Sequence, residues 1–250
     1  MSIPRVSIIT AVYNGGQAIV STLQSVAAQD YAAIEHIVID GGSHDSTIAL
    51  VGQYGDRVAR VVSESDAGVY DAFNKGLRLA TGDVIAYLNC GDTYTGVGVV
   101  SRMVDALFRD GGHAAFADVF IVDCHDSNRI IRHYSSKWFS PKTMAYGLMP
   151  AHPSLFIRRE IYRQVGEYDA KFRIAGDFEF CLRVFVTAAV QFRYVHEPVV
   201  RMPTGGLSNR GWRSKLTITK EMYEACKTNG VQTNFAKLCL RFPLKILEML

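Results

Sequence analysis

No apolar run in the chain approaches the ~20 residues needed to cross a bilayer, which excludes a spanning helix. No C-x-x-C spacing links the five cysteines, Cys90, Cys124, Cys181, Cys226 and Cys239. They read as free thiols of a reducing compartment rather than a disulfide framework. No G-x-G-x-x-G follows the first strand-like run, which disfavours a dinucleotide-dependent oxidoreductase. A nucleotidyltransferase is disfavoured as well, because Asn14-Gly15-Gly16-Gln17 lacks the basic residue such a loop needs. There is no linker rich in Pro, Gly or Ser, no internal repeat and no low-complexity tract, so one large domain or two lobes with a shared core are expected of 250 residues. Neither sign of charge dominates; a net charge of +3 decides nothing about nucleic acid. Met1-Ser2-Ile3-Pro4-Arg5 leads straight into a strand, so no signal peptide is expected and the body is placed in the cytoplasm.

What is present is an alternation of strand and helix. A 48% apolar and 20% charged composition suits an ordinary globular core. Ser7 to Val12 reads as a buried strand, and the following helix buries Ile19, Leu23, Val26 and Ala27 at a spacing of three to four. Glu35 to Asp40 is the second strand, Thr47 to Gln53 a helix, Arg57 to Ser63 an edge-like strand, Tyr70 to Leu79 a helix and Val84 to Leu88 the fourth strand. Such units imply right-handed crossovers and a parallel sheet. Beyond Asp92 the expected order is a helix over Val97 to Phe108, strands over Ala114 to Val122, Arg129 to Tyr134 and Ser154 to Ile157, a helix from Asp177 to Thr187, and a strand pair between Phe192 and Met202. From about Ser208 the chain reads as helical.

The carboxyl ends of buried parallel strands line the ligand crevice of an open α/β sheet. At the first end, Thr10, Ala11, Tyr13 and Asn14 offer a hydroxyl, an aromatic face and an amide, the requirements for holding a nucleobase. At the second, Asp40-Gly41-Gly42-Ser43 ends a run of Ile and Val in a carboxylate that needs a partner. Asp66, Asp71, Asn74 and Lys75 follow on a loop and helix, where capping and solvation explain most charges equally well. Asn89-Cys90-Gly91-Asp92 closes the fourth strand.

In this order, Tyr13-Asn14, Asp40-Gly-Gly-Ser-x-Asp45, Ser63-Glu64-Ser65-Asp66-x-Gly68-x-Tyr70-Asp71-x-x-Asn74-Lys75-Gly76, Thr81-Gly82-Asp83 and Leu88-Asn89-Cys90-Gly91-Asp92 resemble the inverting glycosyltransferases of family two. The nearest branch is the bacterial one that builds O-antigen, capsule and exopolysaccharide. The likeness runs from Val6 through about Arg183. It implies an α/β GT-A fold, Rossmann-like, with a mostly parallel central sheet flanked by helices and a helical C-terminal tail. Residues 1–207 would form the transferase domain, 1–92 its nucleotide-binding half and 93–207 its acceptor and catalytic half, with 208–250 a helical extension.

The resemblance further implies transfer of a sugar from a nucleotide diphosphate donor, by preference a UDP-sugar, to an acceptor hydroxyl. Asp40 matches the aspartate that reads the base and Tyr13 the residue packed on it; Thr10, Ala11, Asp66, Asn74, Lys75, Asn89 and Gly91 join them on the donor side. Asp92 is the one carboxylate left at the metal motif, for Mn2+ or Mg2+, because Asn89 and Gly91 stand at the usual acidic positions. Asp177 matches the general base, although Gly176 replaces a frequent acidic neighbour. Glu179, His152, Ser208 and Arg210 fall on segments that touch sugar, acceptor or diphosphate. The implied acceptor is a glycan or lipid-linked oligosaccharide, with no nucleic acid involved. Lys237, Arg241 and Lys245 are four apart and would share one helical face opposite Leu, Phe and Ile, suited to the inner face of a membrane or to a second subunit. The rival reading is a lapsed transferase that binds sugar nucleotides without turning them over.

Overall fold

Runs of Ile and Val without polar alternation become strands covered on both faces. In β1 (Val6–Val12), β2 (Ile34–Asp40) and β4 (Val84–Tyr87), Ile8, Ile9, Ile37, Ile39 and Ile85 are fully buried, each worth about 1.5–3 kcal/mol of burial. The computed structural model describes residues 3–205 and 211–242. Between these strands lie α1 (Ala18–Ala27), α2 (Thr47–Tyr54), β3 (Val58–Ser63) and α3 (Val69–Leu79). The chain continues through β5 (Thr93–Tyr94), α4 (Val99–Phe108), β6 (Ala114–Val122), β7 (Ile130–Tyr134), β8 (Phe156–Arg158), α5 (Arg159–Val165), α6 (Gly176–Leu182), β9 (Phe192–Pro203), α7 (Gly211–Thr228) and α8 (Phe235–Cys239).

These strands form one mixed sheet in the order β3-β2-β1-β4-β8-β6-β9-β5, with β7 on β6. The first four in that order are parallel, as the sequence pattern requires, and β3 is the edge. β8 runs antiparallel to both β4 and β6, so β6 and β9 return to the direction of β1. The strand pair expected over 192–202 is instead one long strand. β9 stays in register with β6 by shifting on either side of Asp118 rather than by turning. The short β5 and α5 have no clear periodicity and were not foreseen. The helix expected to Thr187 ends as α6 at Leu182 and widens into a π turn over Arg183–Thr187.

Thr81-Gly82-Asp83, which reads as a helix stop, ties β1 to β2 and β4. Gly82 lies so close to β1 that a Cβ there would stand 2.6–2.8 Å from Ser7 and Arg5 atoms. Its N–H donates to Ser7 Oγ, the Ser7 hydroxyl donates to Glu35, and Thr81 donates twice to Glu35. Burial alone would raise the Glu35 carboxyl, but these donors hold it below its ordinary value.

The C-terminal helices share this core. Met222, Ala225 and Cys226 of α7 and Leu238 of α8 are buried in the cluster that includes Tyr70, Phe178 and Phe180. Arg241 corrects the expected basic face: it is 2% exposed and donates to Thr219 Oγ1 and to the Leu238 carbonyl, so it lies against α7 instead of beside Lys237 in solvent. Lys245 lies outside the described residues. Among the described residues no helix is long and apolar enough to cross a membrane.

Candidate active site

The carboxyl ends of β1, β2 and β4 meet through a network of side-chain braces. Asn14, at positive φ after β1, accepts from the His44 amide and donates its own N–H to Ser43 Oγ. Gly15 and Gly16 donate to Thr47 Oγ1, and Gly16 also to Asp45. The loop after β4 is held from α1, where Thr22 donates to the Asp92 carbonyl at 2.9 Å and accepts from Gly91 N at 2.9 Å. Nothing in the sequence separates Thr22 from an ordinary buried helix threonine, and it was not anticipated. Beside this braced floor Tyr13 is 60% exposed, its ring free to stack.

Asp40 is fully buried at the end of β2. It accepts from the amides of Gly42 (3.2 Å) and Ser43 (2.9 Å) and from the hydroxyls of Ser63 (2.6 Å) and Ser43. Burial pushes its carboxyl up, yet the four donors together bring it below the ordinary value, so it is ionised at neutral pH. Its first task is to order the Gly41-Gly42-Ser43 turn. Asp66 caps Gly68 N at 2.9 Å in the loop alongside.

Asp92 is 4% exposed with no side-chain donor among the described residues, and burial raises it to about 8. Three residues earlier, the buried Asn89 Oδ1 has no hydrogen-bond partner. An orphaned amide oxygen and a carboxylate whose burial is offset only by the Asn89 backbone amide, in one tight loop, are hard oxygen donors of the kind that fit Mg2+ or Mn2+ when a diphosphate completes the shell. Among the described residues no group of three His, Cys, Asp or Glu gathers as a self-sufficient metal site. Arg201 of β9, paired in register with Thr93, carries a buried Nε without a partner and was not singled out from sequence.

Asp177 lies in the first turn of α6, partly buried. Its Oδ1 accepts from Phe178 N at 2.8 Å and from the Tyr70 hydroxyl at 3.4 Å. Burial is the main reason its carboxyl rises to about 6; the two donors oppose this and the Glu221 charge adds to it. A carboxylate with this proton affinity is suited to accept a proton near neutral pH. Beside it, a cavity of about 440 Å³ is lined by residues 67–71, by Ala170, Phe172, Arg173 and Ile174, and by Ser214 and Thr217 of α7. A second cavity, about 370 Å³, opens at the amino ends of β1 and β4 near Pro4 and Asp83, away from these groups.

Several candidates are occupied elsewhere. Asn74 clamps the Tyr168 backbone with both ends of its amide, at 2.8 Å each, and so acts as a brace. Lys75 is held by Glu64 at 3.0 Å and by the Ser65 carbonyl at 2.8 Å. Thr10 donates to the Leu88 carbonyl and contacts His36, fully buried within the sheet, and Ala11 is a partly buried strand residue beside it. His152 is stacked on Phe73 and bonded to Tyr168, and burial lowers it to about 4, so it is a neutral core histidine. Glu179 pairs with Arg183 at 2.8 Å and is 5% exposed. Gly91, at φ 92°, turns the loop toward Asp92. Ser208 and Arg210 lie outside the described residues. No hydrogen bond or ion pair joins Asp40, Asp92 and Asp177, and neither cavity includes any of them.

The model of "Glycosyl transferase family 2" matches residues 7–174. The "uncharacterized glycosyltransferase Rv1514c" of Mycobacterium tuberculosis is 35% identical over 184 residues, covering 73% of this chain and 69% of that protein. The "PGL/p-HBAD biosynthesis glycosyltransferase Rv2957" of the same species is 29% identical over 217 residues, 84% of this chain and 81% of that one. Among solved structures, S. aureus TarS 1–349 in complex with UDP-GlcNAc has a TM-score of 0.71 at 15% identity, over 90% of this chain and 65% of that one. The mannosyltransferase PcManGT of Pyrobaculum calidifontis, in complex with GDP-Man and Mn2+, has a TM-score of 0.65 at 19% identity, over 90% and 64%. Against a longer S. aureus TarS structure this chain spans 39% of the length. The structural likenesses establish the GT-A-like fold, and the sequence matches establish descent: the chain belongs to glycosyl transferase family 2.

Proposed function

We propose that this glycosyltransferase moves a sugar from a nucleotide diphosphate donor, by preference a UDP-sugar, to an acceptor hydroxyl in one inverting displacement with Asp177 as general base. The observation that carries the reading is the Asp177 carboxyl at the entry to α6, raised to about 6 by burial and bordering an open cavity through Tyr70 and Ile174. As the acceptor oxygen bonds to the anomeric carbon, its proton passes to Asp177. The bond from that carbon to the diphosphate oxygen breaks, and the nucleoside diphosphate leaves with the electron pair. Base catalysis of this kind contributes roughly 10²–10⁴-fold.

Tyr13 packs on the base, and the turn ordered by Asp40 presents its edge partners. Asn89 and Asp92 would hold the divalent ion, which when bound neutralises charge on the departing diphosphate. Arg201 adds a cation near that loop. The structural neighbours complexed with UDP-GlcNAc and with GDP-Man and Mn2+ support a nucleotide-sugar donor. We assign residues 1–92 to the donor half, 93–207 to the acceptor half and 208–250 to a helical extension. The 440 Å³ cavity is the acceptor side, and a lipid-linked glycan of surface polysaccharide synthesis is the acceptor class, met at the cytoplasmic membrane face.

A thermal-shift panel of nucleotide diphosphate sugars, with and without Mn2+, tests the donor reading, because a ligand bound only by the native state raises its melting temperature with occupancy. A stabilising UDP-sugar that is then slowly hydrolysed supports the transferase. Stabilisation without any turnover supports the lapsed form, for which the reduced acidic motif at Asn89 and Gly91 is the specific argument.

A further inference from the structure

The residues leading into α6 are held by a carboxylate from a different helix. Glu221 of α7 accepts from three successive backbone amides, Arg173 at 3.0 Å, Ile174 at 2.9 Å and Ala175 at 2.8 Å. Ala175 is the N-cap of α6 and brings no side-chain cap of its own. Glu221 therefore satisfies the amide of the N-cap residue and of the two residues before it, while Asp177 itself accepts from the Phe178 amide inside the first turn. From the other side the Tyr70 hydroxyl donates to the Ile174 carbonyl at 2.5 Å. Ile174 is thus fixed through its N–H by α7 and through its C=O by α3.

We propose that Glu221 is a positioning residue for the base Asp177, holding the 173–175 backbone so that the first turn of α6 presents its carboxylate to the acceptor hydroxyl. The proposal rests on Asp177 being the base. Three backbone amides converge on this one side chain, and hydrogen bonds to a carboxylate are the strong ones.

The same geometry ties Glu221 to the chemistry by charge. The groups facing Asp177 are Tyr70 from α3 and Glu221 from α7, with Cys181 on its own helix. No described basic side chain forms an ion pair with Asp177 or Glu221. The negative charge of Glu221 disfavours ionisation of both Asp177 and Tyr70. It therefore acts with burial to keep the base proton-hungry. A helix distant in sequence from the catalytic motif carries one of its controls.

The test of Glu221 uses the full chain, and its two measurements need no identified acceptor. Glu221→Gln keeps the shape and one acceptor oxygen while removing the charge. The Asp177 carboxyl is titrated by ¹³C NMR in wild type and variant, and amide hydrogen exchange is read at Ile174 and Ala175. The expected result is a lower Asp177 midpoint in the variant, by several tenths of a unit, with protection at the two amides reduced about tenfold. A merely structural glutamate would leave the midpoint where it is. An unmoved midpoint, or unchanged protection, overturns the proposal. Should Glu221→Gln not fold, Glu221→Asp takes its place. With the charge kept and the reach shortened by one methylene, protection is expected to fall and the midpoint to change least; unchanged protection overturns the proposal there too. Retained transfer by Asp177→Asn would overturn the base assignment instead, so the two failures are distinguishable.

Discussion

The ring of Tyr70 lies flat against Gly176, with three ring carbons 2.8–2.9 Å from where a Cβ on residue 176 would stand. Tyr70 itself is stacked on Tyr168 and edge-on to Phe73, so it has no room to withdraw. Any side chain at position 176, an acidic one included, is thus sterically excluded beside Asp177. The same tyrosine donates its hydroxyl to the Ile174 carbonyl at 2.5 Å and lies 3.4 Å from Asp177 Oδ1.

Gly176→Ala should therefore destabilise the protein by about 1–3 kcal/mol through overpacking. Combining it with Tyr70→Ala should cost less than the sum of the two single changes, because the clash disappears with the ring. Denaturant unfolding of the four proteins measures the coupling. Strict additivity would show that the backbone yields without the ring.

The elevated Asp177 carboxyl links stability to pH in a defined direction. Its folded value, about 6, exceeds its ordinary value of 3.8, so its stabilising contribution is full below about pH 4 and is lost as pH rises through 6. Asp177→Asn should be more stable than wild type at pH 7–8, by about 1–2 kcal/mol, and no more stable at pH 4. Transfer should rise with pH through about 6 as the base ionises. Melting temperatures and rates across that range check both signs.

Tyr13 and Asp40 should separate affinity from stability. Tyr13 is 60% exposed and supports little of the fold. Tyr13→Ala should weaken UDP binding by roughly 1–3 kcal/mol, the range of base–aromatic stacking, without moving the melting temperature. Asp40→Asn converts an acceptor of four donors into a group with one acceptor oxygen, and should lower both stability and affinity. Calorimetric titration with UDP beside a thermal melt checks each.

Asp92, raised to about 8, is mostly protonated at pH 7 without a cation. Binding of Mn2+ with UDP should release close to one proton per protein at that pH. Titration in two buffers of different ionisation enthalpy measures it, and Asp92→Asn should abolish the release.

In the parallel half, β1, β2 and β4 were legible because they are buried on both faces and write themselves as runs rich in Ile and Val, while β3 reads as the exposed edge that it is. The antiparallel half was legible in position but not in connection: β9 crosses two register shifts around Asp118 that no local pattern encodes. Motif order singles out Tyr13, Asp40, Asp92 and Asp177, whose roles are those proposed above, yet motif residues serve two purposes that sequence does not separate. Asn74 and His152 lie in equally regular segments and are structural, because a clamp on the Tyr168 backbone and a stack on Phe73 depend on residues about 80 to 94 positions away. Glu221 and Thr22 were missed for the same reason: each contacts only the backbone of a distant loop, and any acceptor of suitable length would look alike in the sequence.

In the proposed reaction Asp177 takes the acceptor proton while other residues hold the donor. The direct measurement is the UDP-sugar dissociation constant and the transfer rate of folded Asp177→Asn beside wild type. The expected result is a dissociation constant within about twofold and a rate reduced at least 10²-fold. A variant that still transfers sugar at near the wild-type rate, or one that loses donor affinity in step with its rate, would contradict it.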